Sequence, residues 1–217
     1  MTNYTQWKSL VDLHEYSAIP DSDVYLHDDW GDNKLQDREE SGTTTHNGVE
    51  GVYRPEWVIT DNTPDISDEI ITVSPGDGIE TGINLNFNET VVWEGSITSQ
   101  SGLSAGGDVF SIGLFADAND SRAHYVDNGY LLWIDGGDIA VREVTGGSPT
   151  EILSTTLPTA PYDWSVERES NGGWTLFVDG TQQDTTTDTA HTTANITTIG
   201  SRTDGSATVS HTEYKVR

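Results

Sequence analysis

From Val91 onward the sequence alternates apolar and polar residues in short runs, a pattern that fits strands and little else. Val91, Trp93 and Ile97 share one face of a run, with Glu94 and Ser96 on the other. Phe110, Ile112 and Leu114 make a second such face, and Tyr130, Leu132 and Ile134 a third. In an extended chain successive side chains point to opposite sides, so each run has one side for a core and one for water. The breaks between runs are turn formers: Asp135-Gly136-Gly137-Asp138, Asn171-Gly172-Gly173 and Asp179-Gly180. The first of these, followed by Ile139 and Val141, makes a hairpin. Trp164, Val166 and Arg168 give another strand, 174–178 the next, and 196–199 and 207–216 close the chain. Short strands separated by Gly, Asp and Asn turns predict an all-β fold over residues 66–217, an antiparallel β-sandwich of the jelly-roll kind.

Residues 1–65 read differently. Trp7, Leu10, Val11 and His14 recur at helical spacing, which predicts one short amphipathic helix that ends before Pro20. The rest is irregular, with Trp30, Tyr53 and Trp57 as large side chains among too few other apolar residues for a separate core. Such a segment must dock, either on the sandwich or on a neighbouring subunit. Residues 1–65 are therefore expected to form an anchoring and assembly segment. Trp7, Leu10, Val11, Trp30, Tyr53 and Trp57 would carry it, since buried aromatic area is the usual source of interface energy.

Charge sets the milieu. The chain has 36 Asp and Glu against 10 Lys and Arg, a formal net charge of −26. Self-repulsion at this density opposes compaction in dilute buffer. At about 1 M salt the Debye length falls to about 3 Å and most of it is screened. A folded chain of this composition implies a high-salt environment. It also argues against nucleic acid as a partner, because phosphate binding needs clustered cations. There is no cysteine, which excludes disulfides and thiol chemistry. No apolar run is long enough to cross a bilayer as a helix, and no signal peptide is visible, so no membrane insertion is expected.

The stretch from Asp163 to Gly180 contains Trp174, Leu176, Val178, Asp179 and Gly180 in a W-x-L-x-V-D-G arrangement after a Gly-containing turn. It resembles the signature hairpin of laminin-G-like and concanavalin A-like domains, and Gly129 to Asp135 with Asp138 to Arg142 resemble the hairpin upstream of it. The motifs around 19–22, 28–35 and 53–57 resemble the lead-in of haloarchaeal and haloarchaeal-virus proteins in which a laminin-G-like domain follows. This resemblance implies a virion surface protein, such as a capsid turret, decoration or tail-fibre subunit. Its partners would be itself, as a homo-oligomer, other capsid or tail proteins, and a host glycan or S-layer. The alternative is a lectin-like, calcium-dependent adhesion module of a cell-surface or extracellular protein.

An enzyme is not expected. Concanavalin-like glycosidases carry a Glu-x-Asp-x-x-Glu strand that is missing here, and Glu167 with Glu169 lacks the rest of it. No Gly-x-Ser-x-Gly elbow supports a serine hydrolase. The best oxygen-rich loop for Ca2+ is Asp117, Asn119 and Asp120, with Asp135 and Asp138 second. Calcium takes six to eight oxygens, and laminin-G-like domains often bind it at one end of the sandwich. Set against that, these residues read as ordinary acidic turns of a halophilic protein. For glycan binding, Tyr125, Asn128 and Trp133, with Tyr130 nearby, could form a stacking platform. Against that, Tyr130 and Trp133 fall on opposite faces of one strand and read as core.

Overall fold

The computed structural model describes residues 26–28, 30, 44–46, 49–52, 57–83, 85, 87–105, 107–116, 126–192, 196–202 and 204–217. The strands, in chain order, begin with β1 (Leu26–Asp28), β2 (Thr44–His46), β3 (Val49–Val52), β4 (Val58–Ile59) and β5 (Asp65–Ser67). They continue with β6 (Ile70–Val73), β7 (Gly78–Gly82), β8 (Val91–Ser101), β9 (Phe110–Ala116), β10 (Gly129–Ile134) and β11 (Asp138–Thr145). The last are β12 (Ser148–Thr156), β13 (Tyr162–Arg168), β14 (Gly173–Val178), β15 (Thr181–Thr187), β16 (Ile196–Ser201) and β17 (Thr208–Val216).

Two antiparallel sheets form a sandwich. The first has eight strands in the order β15-β14-β13-β8-β17-β6-β5, with β1 also paired to β17. The second has seven, in the order β12-β11-β10-β9-β16-β7-β4. β2 and β3 make a separate hairpin. The chain crosses repeatedly between the sheets, and each turn signal read from the sequence falls at a strand end. Thr145 pairs with Ser148 across Gly146 and Gly147, which have φ of 58° and 71°. A two-residue loop with both residues in the left-handed region matches the twist of the strands it joins, and glycine takes that conformation without strain.

The core between the sheets is the one the alternation predicts. Val91, Trp93 and Ile97 face it from β8, Phe110, Ile112 and Leu114 from β9, and Tyr130, Leu132 and Ile134 from β10. Trp164, Val166, Trp174, Leu176 and Val178 complete it from the first sheet. Trp93 and Trp174 stack at 5.8 Å with their planes 10° apart, and Phe115 stacks on both.

One feature departs from a simple one-face pattern. Every residue of β9 and β10 is buried, not only the inward half. Leu131 and Trp133 on the outer face of the second sheet join Val109, Ala116, Val126 and Val144 in a second, smaller apolar cluster. Alternation shows which residues share a face. It does not show whether the opposite face is also covered.

Two of the expected anchors are interior residues. Trp30 and Trp57 are fully buried in the core of this chain, with ring centroids 5.8 Å apart. The Trp57 indole donates to Asp28 Oδ2 at 2.7 Å, and the Trp30 amide donates to Asp28 Oδ1 at 2.9 Å. Trp30 has φ of 54°, costly for a non-glycine residue, and is held there by this bond and by enclosure of its indole. The expectation that Trp30 and Trp57 supply area to a partner is therefore corrected: the sandwich itself consumes that area. Together with β1 and β4, they make the described part of residues 1–65 strand and core. Trp7, Leu10, Val11 and Tyr53 lie outside the described residues.

His211 sits in the same region, edge-on to Trp30 at 5.5 Å and 5.9 Å from the Phe110 ring. Complete burial pushes its pKa down to about 4, against a hydrogen bond to the Glu213 backbone that works the other way. The unfolded chain takes up this proton first. Stability from the neutral imidazole is thus full above the unfolded value of 6.5 and is lost as pH falls toward about 4. In high salt, urea midpoints should show the wild type losing stability relative to His211→Leu between about pH 7 and about pH 4.5. A gap between the two that does not change with pH would place the imidazole in water.

Candidate functional site

The described basic side chains are drawn inward. Arg168, Lys215, Arg217 and Arg142 are largely buried, and Arg202 is the most exposed at 40%. On the outer face of the first sheet Glu94 pairs with Lys215 at 3.6 Å and Arg217 at 3.3 Å. Arg202 pairs with Asp204, and Arg142 with Glu151 at 3.9 Å. Among the described residues, the polar surface left to solvent is mostly carboxylate, hydroxyl and amide.

One end of the sandwich gathers polar groups from both sheets. There β10 begins, β11 turns into β12, β13 turns into β14, and the chain leaves β15. Asp188 is fixed first. Its amide donates to Gly172 O at 2.9 Å, and its carbonyl accepts from the Trp174 indole at 3.1 Å. Its carboxylate accepts from the Tyr130 hydroxyl and from the Ala190 amide at 2.9 Å. The His191 amide then donates to the Tyr130 hydroxyl at 3.4 Å. The His191 ring reaches across to Glu143 on β11, Nε2 to Oε1 at 2.7 Å, with Thr145 Oγ1 at 3.2 Å from the same nitrogen. Asn128 Oδ1 accepts from the Gly146 amide at 2.9 Å and so holds the β11–β12 turn against the start of β10.

Beneath this clasp lies Arg168, 2% exposed on the inner face of β13. Its guanidinium lies 4.6 Å from the centre of the Phe87 ring and 5.7 Å from that of Trp174. Nε and Nη1 have no hydrogen-bond partner. Burial lowers its pKa, opposed by Tyr130 and Asp188. Burial, and then the bond to Asp188, raise that of Tyr130. The result is a fixed polar end on an aromatic floor, with one desolvated cation.

The arrangement does not suit a proton relay. A relay puts the acid on one imidazole nitrogen and the nucleophile on the other. Here Glu143 and Thr145 share Nε2. Glu167 lies on the outer face of β13, its carboxyl pushed up by burial and then by Glu169, with Arg217 opposing. Glu169 accepts from Asn171 at 3.0 Å within the turn.

The residues read as a glycan platform separate. Tyr130 is fully enclosed on the inner face, Trp133 is 8% exposed on the outer face, and Arg142 covers the Trp133 ring at 4.5 Å. That corrects the platform: neither ring offers a flat open surface, because the strand sends them to opposite, covered sides. Asn128 does sit at the polar end. Tyr125, and Asp117, Asn119 and Asp120 of the expected calcium loop, lie outside the described residues. Asp135 is buried and accepts from the Gly137 amide at 2.7 Å and the Asp138 amide at 3.2 Å, which makes it a cap for its own turn. The Asp138 carboxyl is raised by burial, then by Asp135 and Glu151. Among the described residues no group of three or more His, Asp or Glu side chains is placed to hold a metal.

Arg168, Asp188, His191 and Glu143 were not singled out in the sequence. Tyr130 and Asp188 are 58 residues apart, and Glu143 and His191 48, with no local motif joining them. One signal was visible: an arginine at the inward position of the Trp164, Val166, Arg168 alternation.

No protein-family model matches the sequence, and no curated protein sequence matches it. Solved structures do match in fold. The botulinum neurotoxin serotype D/C binding domain superposes with a TM-score of 0.58 at 9% identity, over 89% of this chain and 48% of that one. The binding domain of botulinum neurotoxin DC in complex with rat synaptotagmin II gives 0.57 at 9%, over 80% and 46%. The same toxin's binding domain in complex with SialylT gives 0.56 at 10%, over 84% and 48%. The chain thus spans just under half the length of these structures. At this identity the likeness is one of fold: a β-sandwich that occurs within receptor-binding domains.

Proposed function

We propose that the chain is a non-catalytic recognition module, a lectin-like β-sandwich that binds a glycan-bearing receptor at its polar end. The observation that carries this is the clasp of Tyr130, Asp188, His191, Glu143 and Asn128. Both sheets contribute to it and every member is held by a partner, so a ligand meets donors and acceptors already in position. Preorganisation of this kind lowers the ordering cost of binding. The fold shared with receptor-binding domains supports the reading, as does a histidine whose partners share one nitrogen.

The proposed setting is an outer surface in strong brine, which the charge favours. The N-terminal motifs favour a virion surface, on a turret, decoration or tail-fibre subunit that assembles with itself and faces a host glycan or S-layer. Calcium at Asp117, Asn119 and Asp120 belongs to the same proposal. The test is adhesion of labelled protein to intact haloarchaeal cells in high salt. Adhesion should be lost after periodate oxidation of surface glycans and survive mild proteolysis. Loss on proteolysis alone would make the receptor a protein and overturn the glycan.

A further inference from the structure

Arg168 differs from the other described cations. Arg142, Arg202, Lys215 and Arg217 each pair with a described carboxylate. Arg168, the most deeply buried of them in the core, is in no such pair among the described residues, and its Nε and Nη1 bond to nothing. A buried charge without hydrogen bonds is unfavourable unless something compensates it. The rings of Phe87 and Trp174 compensate in part, through their π faces. Asp188 acts on it through space, and its Oδ1 accepts from Tyr130 and Ala190.

We propose that this end of the sandwich binds a carboxylate-bearing ligand, with Arg168 as the group that takes the carboxylate; this rests on the reading of the chain as a recognition module. The guanidinium presents donors in forks that match the two oxygens of a carboxylate. Among the described residues, the half-buried ring of Phe87, in the connection between β7 and β8, covers one face of it. Phe87 packs on Phe115 at 4.5 Å. Rotation of that one ring opens the guanidinium while Tyr130, Asp188 and Trp174 stay in place. The site is selective by construction. The exposed cation of the described surface, Arg202, is already held by Asp204, and the low dielectric beneath Phe87 strengthens the attraction of Arg168 for a carboxylate.

The experiment titrates the whole chain in about 2 M potassium chloride, where long-range repulsion is screened, with glucuronate, glucose and acetate, following the heat of binding by calorimetry. Glucuronate should bind and glucose should not. Acetate binding as tightly as glucuronate would make the carboxylate the whole determinant, and tighter glucuronate would add sugar-ring contacts. Arg168→Met should weaken glucuronate binding about thirtyfold or more. If that variant does not fold, Arg168→Lys keeps the charge without the fork and should still lose most of the affinity. Phe87→Ala removes the cover and should strengthen binding by about threefold or more, because a larger fraction of molecules is open. Equal binding of glucose and glucuronate, no binding of glucuronate, or affinity indifferent to both Arg168 and Phe87 would overturn the proposal. Adhesion to cells that persists in such a case would leave the recognition module standing without this site.

Discussion

Transferred from about 1 M potassium chloride to about 0.01 M, the protein should unfold. The Debye length rises from about 3 Å to about 30 Å over that range, so every carboxylate comes within reach of many others. The net charge is −26. The described cations make this worse for the surface, not better: Arg168 is inside the core, and Lys215 and Arg217 are nearly buried against Glu94. Drawn inward, they leave the carboxylates of the described surface largely uncompensated. Tryptophan emission should shift to the red in one cooperative step and return when salt is restored. Sucrose should not replace the salt, because the effect is screening. Unchanged emission and unchanged Tm across the range would show that the acidic surface does not oppose folding.

Trp57→Ala should be the most damaging single substitution in the described N-terminal part. It removes a fully buried indole from contact with Trp30 and Tyr214. Large aromatic-to-alanine changes in a core cost about 3–5 kcal/mol. It also takes one donor from Asp28, a carboxylate that is 1% exposed, and a lost partner of a buried charged group costs about 1–3 kcal/mol or more. Trp57→Phe keeps most of the ring and isolates the second part. Urea midpoints in high salt should order wild type above Trp57→Phe above Trp57→Ala. A Trp57→Ala chain as stable as wild type but with altered self-association would return Trp57 to the role of an external anchor.

Strand faces were legible because they depend on local alternation. Val91 with Trp93, and Trp174 with Leu176, needed no knowledge of the partner strand. The turns at Asn171-Gly172 and Asp179-Gly180 were legible because Gly172 and Gly180 supply backbone freedom that few other residues do; the Gly146-Gly147 turn was not read. What was not legible is whatever depends on distance in the chain. Trp30 and Trp57 looked like surplus aromatics because their acceptor, Asp28, carries no sign of burial in the sequence. Trp133 read both as part of a glycan platform and as core, and nothing local shows that Leu131, Val144 and Arg142 close over its face. The polar end is the extreme case. Glu143, Asp188 and His191 are ordinary residues in an acidic chain until the two sheets bring them around Tyr130.

The reading of the chain as a recognition module is tested most directly on a glycan array in high salt, alongside sedimentation of the same preparation. Folded protein should bind a discrete subset of glycans, and free sugar should compete it off, whatever its oligomeric state. Folded protein that binds no glycan, yet sediments as a closed oligomer, would contradict it and make assembly the function.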